Sequence, residues 1–168
     1  MRVADFSHRY LFEVLAIFLL FSTGCPSKLE PDVCRDFFAK PSTPRLLEFA
    51  NYDLSKQMTI HQCGINRMPP TDYSSEIASR GDVIVPDLLV QMGRDDFANR
   101  YDADLNKLGA ILVFRRLAAT GNFAANPENV FAIERSVLEI RTDWMRYDAE
   151  NAFVEIRRGL EGNLSPTR

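Results

Sequence analysis

Apolar residues in the last third of the chain recur every three or four positions. Val130, Ile133, Val137, Ile140, Trp144 and Tyr147 are spaced 3-4-3-4-3, and Ala149, Phe153, Ile156 and Leu160 are spaced 4-3-4. An α-helix turns once in 3.6 residues, so each series lies along one side of a helix. The series do not run in phase, which predicts either one long helix bent near Asp148 or two helices meeting there. On this pattern Trp144 belongs to the core. Upstream, residues 99–120 place Leu105, Leu108, Leu112 and Leu117 near a second stripe, broadened by Ile111 and Phe114. Between the two lies GNFAANPEN, a loop in which Asn126 is placed to cap a helix and Pro127 to open it.

The first half of the chain is punctuated more often. Residues 30–39 read as a short helix with Pro31 in its opening turn, and Ser42 or Thr43 as an N-cap ahead of Pro44. Asp53 is an N-cap before LSKQMTIHQCGI, which must stop before Pro69 and Pro70. Thr71 or Asp72 caps the next short helix, and Gly81 follows it at a position suited to left-handed geometry. Pro86 fits a first helical turn and Gly93 ends that segment; the β-branched residues 83–85 leave a strand there as the alternative. The closing GNLSPTR is polar.

Nearly every segment is therefore helical with short connections. The predicted fold is all-α, a stack or bundle of short helical hairpins ending in a long C-terminal helix. The stretch RGDVIVPDLLVQMGRDD resembles the second helix of a HEAT-type repeat in its order of glycine, first-turn proline, spaced leucines and acidic end. That resemblance covers one helix, and no second copy recurs at the repeat period.

The N-terminus has a different pattern. Residues 1–10 are polar with two arginines, residues 14–27 are uncharged, and the strongly apolar part is residues 14–21. A membrane-spanning helix needs about 20 apolar residues. The run is too short to span and matches the apolar region of a secretory signal. A signal-anchor or a buried N-terminal helix is the alternative. FSTGC, ending at Cys25, resembles the lipobox of bacterial lipoproteins. Gly24 supplies the small residue before the cut and Thr23 is acceptable one step earlier, while Ser22 stands where that family most often has leucine, and Pro26 is also less usual. The resemblance implies cleavage before Cys25 and a diacylglyceryl group on its sulfur; ordinary cleavage without lipid is the alternative. The implied organisation is a signal at 1–24, a tether at 25–29, a helical domain at 30–160 and a flexible tail at 161–168.

Composition narrows the function further. The 168 residues are 46% hydrophobic and 26% charged, ordinary for a globular domain. The net charge is −3, and Arg2, Arg9, Asp5 and Glu13 cancel within the signal, so the rest carries the same surplus. With no basic stripe, nucleic acid is not expected as a partner. Export implies an oxidising compartment, and setting Cys25 aside leaves Cys34 and Cys63, an even pair suited to one disulfide between two helices. Two unpaired thiols are the alternative; neither cysteine belongs to a CxxC pair, so no metal is implied.

Candidate chemistry is sparse. His61 is the only histidine beyond the signal. It is read mainly as a packed residue, with a catalytic role beside Asp95 or Asp96 as the competing possibility. Asp102, Asp104 and Asn106 match the first ligand positions of a calcium loop, but Lys107 and Val113 occupy the glycine and glutamate positions that loop needs. Asp102 or Asp104 is read instead as a helix cap. Arg80-Gly81-Asp82 spells an integrin-binding tripeptide at a helix junction and is given no function. No nucleophile elbow, phosphate loop or cofactor motif occurs. The reading is a non-catalytic protein-binding module, held on the bacterial envelope by lipid, with Tyr52, Tyr73, Tyr101 and Trp144 as candidate anchors for a protein partner. An envelope hydrolase built on His61, or a secreted protein without lipid, is the alternative.

Overall fold

The computed structural model describes residues 31–123 and 126–163, with side chains to residue 161. The expected signal, Cys25 and all of the expected tether lie outside the described residues, as do the last five of the expected tail. The chain divides into two units, residues 1–31 and 32–168, and every described helix belongs to the second.

Among the described residues there are eight α-helices, one 3-10 turn and no strand. In chain order they are α1 (Asp32–Phe38), α2 (Ser42–Ala50), α3 (Leu54–Ile65), α4 (Ser74–Ala78), the 3-10 turn Asp82–Ile84, α5 (Val85–Met92), α6 (Arg100–Ala119), α7 (Pro127–Glu139) and α8 (Asp143–Asn163). The all-α expectation holds, and the last helix is the longest at 21 residues.

Several helix starts follow from local chemistry. The Asp53 side chain accepts a hydrogen bond from the Lys56 amide, and Asn126 accepts one from Glu128 ahead of Pro127. Other starts differ from the sequence reading. The helix near residue 42 begins one position earlier, so Pro41 is its N-cap and Ser42 and Thr43 lie in the first turn. α6 is capped by Asn99, which accepts from the Asp102 amide, and not by Asp102 or Asp104. At 83–85 the alternative strand gives way to a 3-10 turn running into α5. Pro86 enforces this, because its fixed φ suits a helix opening and it has no N–H for a ladder. Gly81 has φ 79° and ψ −162°, a region reserved for glycine but not the left-handed helical one.

The core is organised around α6, which touches α3, α4, α5, α7 and α8. The sequence reading gave α6 one apolar stripe. The structure buries Ala110, Val113 and Ala118 as completely as Leu108, Ile111, Phe114 and Leu117. Five neighbouring helices leave it only a narrow polar strip, where the Arg116 side chain is 43% exposed and Arg115 and Lys107 are partly so. Both of the anticipated packing schemes for the C-terminal region also change. The chain breaks at residues 140–142, not near Asp148, and α8 starts a new register there.

Candidate functional site

α3 carries both His61 and Cys63. The Cys63 sulfur is bonded to that of Cys34 on α1 at 2.10 Å, with the Cα atoms 6.3 Å apart. The two helices so joined are the two that the sequence placed the cysteines on. His61, two residues earlier, turns into the core and is fully buried. Its Nδ1 accepts a hydrogen bond from the Tyr73 amide at 3.2 Å, which places the proton of the neutral ring on Nε2. Nε2 faces the Gly109 backbone of α6 without reaching full hydrogen-bond geometry.

Burial pushes the His61 pKa from 6.5 down to about 4, against the Asp72 charge and the Gly109 backbone, which pull the other way. Desolvation penalises the imidazolium more than one carboxylate at 3.9 Å can offset. Asp72 sits at the rim of this cluster. Burial pushes its pKa up, but hydrogen bonds from Ser74, with the charges of His61 and Arg116, hold it below the usual carboxylate range. Arg116 and Arg115 approach the same carboxylate at 3.5 and 3.8 Å.

The structure therefore pairs His61 with Asp72, and not with Asp95 or Asp96. Asp95 is exposed, and Asp96 is held bidentate by Arg94 at 2.9 and 2.7 Å. A general base must come within hydrogen-bond reach of the proton it removes. The accepting nitrogen of His61 is occupied by a backbone amide in a closed core, so the cluster is built to hold the Tyr73 turn in place.

The candidate aromatic anchors divide between inside and outside. Tyr73 is buried, stacked on Phe49 at 4.9 Å between centroids and edge-on to Phe37 at 5.7 Å. Tyr52 is half-buried; its hydroxyl donates to Glu48 and its ring lies 3.6 Å below the Lys56 ammonium. Tyr101 is exposed and donates to Asn66. Trp144, read as core, is 44% exposed, and Tyr147 is 67% exposed.

This reversal has a residue-level cause. The Asp104 carboxylate, from buried α6, accepts hydrogen bonds from the Arg141 amide at 3.2 Å, the Thr142 amide at 2.9 Å and the Thr142 hydroxyl at 2.8 Å. Those bonds satisfy backbone donors that a broken helix leaves open, and so fix Thr142 as the residue whose carbonyl starts α8. After the break Met145, Ala149, Ala152, Phe153, Ile156 and Leu160 face the core. Trp144, Tyr147 and Val154 are turned out, as are Phe131 and Leu138 on α7. Sequence reasoning missed both Tyr147 as a surface aromatic and Asp104 as a tertiary cap. The one available signal was an aspartate inside an apolar helix, where a charge is buried only with partners.

Among the described residues no helix is long and apolar enough to cross a membrane. Comparison with known protein families, with curated proteins and with solved structures finds no match to this chain.

Proposed function

We propose that this chain is an exported protein, anchored to a bacterial envelope membrane by lipid on Cys25, whose helical domain binds a protein partner without catalysis. The observation that carries the binding reading is the exposed apolar set on the outer sides of α7 and α8: Phe131, Leu138, Trp144, Tyr147 and Val154. Single exposed apolar residues are ordinary, but a large aromatic pair on one helix side is what interface hot spots are made of. The closed surroundings of His61 support a structural rather than catalytic use of the one histidine outside the signal. The anchor rests on the short apolar run and the lipobox-like FSTGC.

Two measurements test this reading. Mass spectrometry of the mature N-terminus should find lipid on Cys25, and Cys25→Ser should move the protein out of the membrane fraction; an unmodified, soluble N-terminus refutes the anchor. Cross-linking and purification from membranes should recover a protein partner. Trp144→Ala and Tyr147→Ala should each weaken that recovery by about 2 kcal/mol, roughly 30-fold in affinity, while leaving the folded domain unchanged. Undiminished recovery by the double variant refutes this face as the binding site.

A further inference from the structure

The eleven residues from Pro41 to Asn51, comprising α2 and its two flanking positions, have an unusual division of polarity. Their exposed members include Thr43, Pro44, Leu46, Leu47 and Ala50, and none of the exposed positions is charged. Leu46 and Leu47 are 44% and 68% exposed. The charged residues of this region lie beside that face rather than on it, with the Lys40 and Glu48 side chains 40% and 36% exposed. Arg45 lies over the Phe37 and Phe38 rings at 5.8 and 5.6 Å, and Lys40 and Glu48 pair with each other. By contrast, the exposed side of α8 carries Asp148, Glu150, Glu155 and Arg157. A short surface helix normally turns its polar side to water; α2 sets Leu46 and Leu47 there, with its charged side chains to the flank.

The chain length ahead of α2 limits which faces can meet a membrane that holds Cys25. If Cys25 carries the lipid, residues 25–31 are all that separate the bilayer from α1, and they reach at most about 25 Å. A domain of this length is roughly 35–40 Å across, so the tether is too short to let its far side turn to the membrane. The tether cannot lengthen by unravelling α1 either, because Cys34 is bonded to Cys63 on α3. α2 follows α1 after three residues and is pinned to it by Arg45.

We propose that the outer face of α2, centred on Leu46 and Leu47, rests in the interface of the bilayer that holds Cys25. The proposal depends on the lipid anchor. Its binding energy is apolar burial at the headgroup–acyl boundary rather than charge attraction, so the contact persists at 1 M salt, where the Debye length is only about 3 Å.

The test uses the lipidated protein bearing Leu47→Cys, labelled with an environment-sensitive fluorophore and reconstituted into phosphatidylethanolamine–phosphatidylglycerol vesicles. Emission should be blue-shifted relative to detergent-free buffer, quenched by nitroxide-labelled lipid, and unchanged at high salt. The same label at Val154→Cys on α8 should emit as in water. Water-like emission at position 47 from a protein shown to be lipidated overturns the docking and leaves the anchor intact. A soluble, unmodified protein overturns both. A shift seen in native membranes but lost in pure lipid vesicles assigns the face to a protein and overturns the proposal, as does a shift abolished by salt.

Discussion

His61 shows how one buried titratable group ties stability to pH. Its folded pKa of about 4 lies below the ordinary 6.5. The unfolded chain therefore binds the extra proton first, between pH 6.5 and about 4, and stability falls as pH falls through that window. With about 1.4 kcal/mol for each pKa unit, the loss approaches 3 kcal/mol by pH 4. His61→Leu should remove about one proton from the slope of unfolding free energy against pH in that window. It should also lower stability at pH 7 by about 1–3 kcal/mol, because the Tyr73 amide loses its buried acceptor. Chemical denaturation followed at a series of pH values reads both effects; an unchanged slope refutes the assignment. Asp72 acts with the same sign in a lower range, since its depressed pKa contributes stability that is lost only as pH falls below the usual carboxylate range.

At the scale of elements, the junction between α7 and α8 depends on one side chain from a third helix. Asp104 supplies three hydrogen bonds across 37 and 38 positions of sequence. Asp104→Ala should destabilise the domain by about 3 kcal/mol, because bonds to a buried carboxylate are among the stronger ones and their loss leaves amide donors unpaired. Hydrogen exchange should show the first turn of α8 losing protection more than the middle of α6. Uniform loss across all helices would refute this local role. The disulfide acts at the same scale, joining α1 to α3 across a separation of 29 residues. Reduction, or the Cys34→Ala/Cys63→Ala pair, should cost roughly 3–4 kcal/mol by the chain-entropy model for a loop of that length. Thermal denaturation with and without reductant measures it; an unchanged midpoint refutes a stabilising role.

The described domain has two unlike exposed surfaces. α2 presents an uncharged surface close in sequence to Cys25, whereas α7 and α8 present aromatics among charges. The proposed protein partner would use the second surface, and the proposed bilayer contact the first.

Much of the helical layout is legible in the chain because it is fixed within a few residues. Asp53 and Asn126 cap their own helices through amides two or three positions away, and Pro86 and Pro127 set their own φ. The pairing of Cys34 with Cys63 is likewise readable, since few partners exist once Cys25 is set aside. What the tertiary structure decided lies beyond local reach. The 3-4 spacing from Val130 to Tyr147 reads as continuous because periodicity cannot see Asp104, which breaks it and turns Trp144 and Tyr147 to the surface. His61 met Asp72 and not Asp95 or Asp96 because the Tyr73 turn folds back over α3. α6 buries more than one stripe, and keeps its charges to a narrow strip, because five helices pack around it. Local chemistry settles where helices begin; contacts distant in sequence settle which way their side chains face.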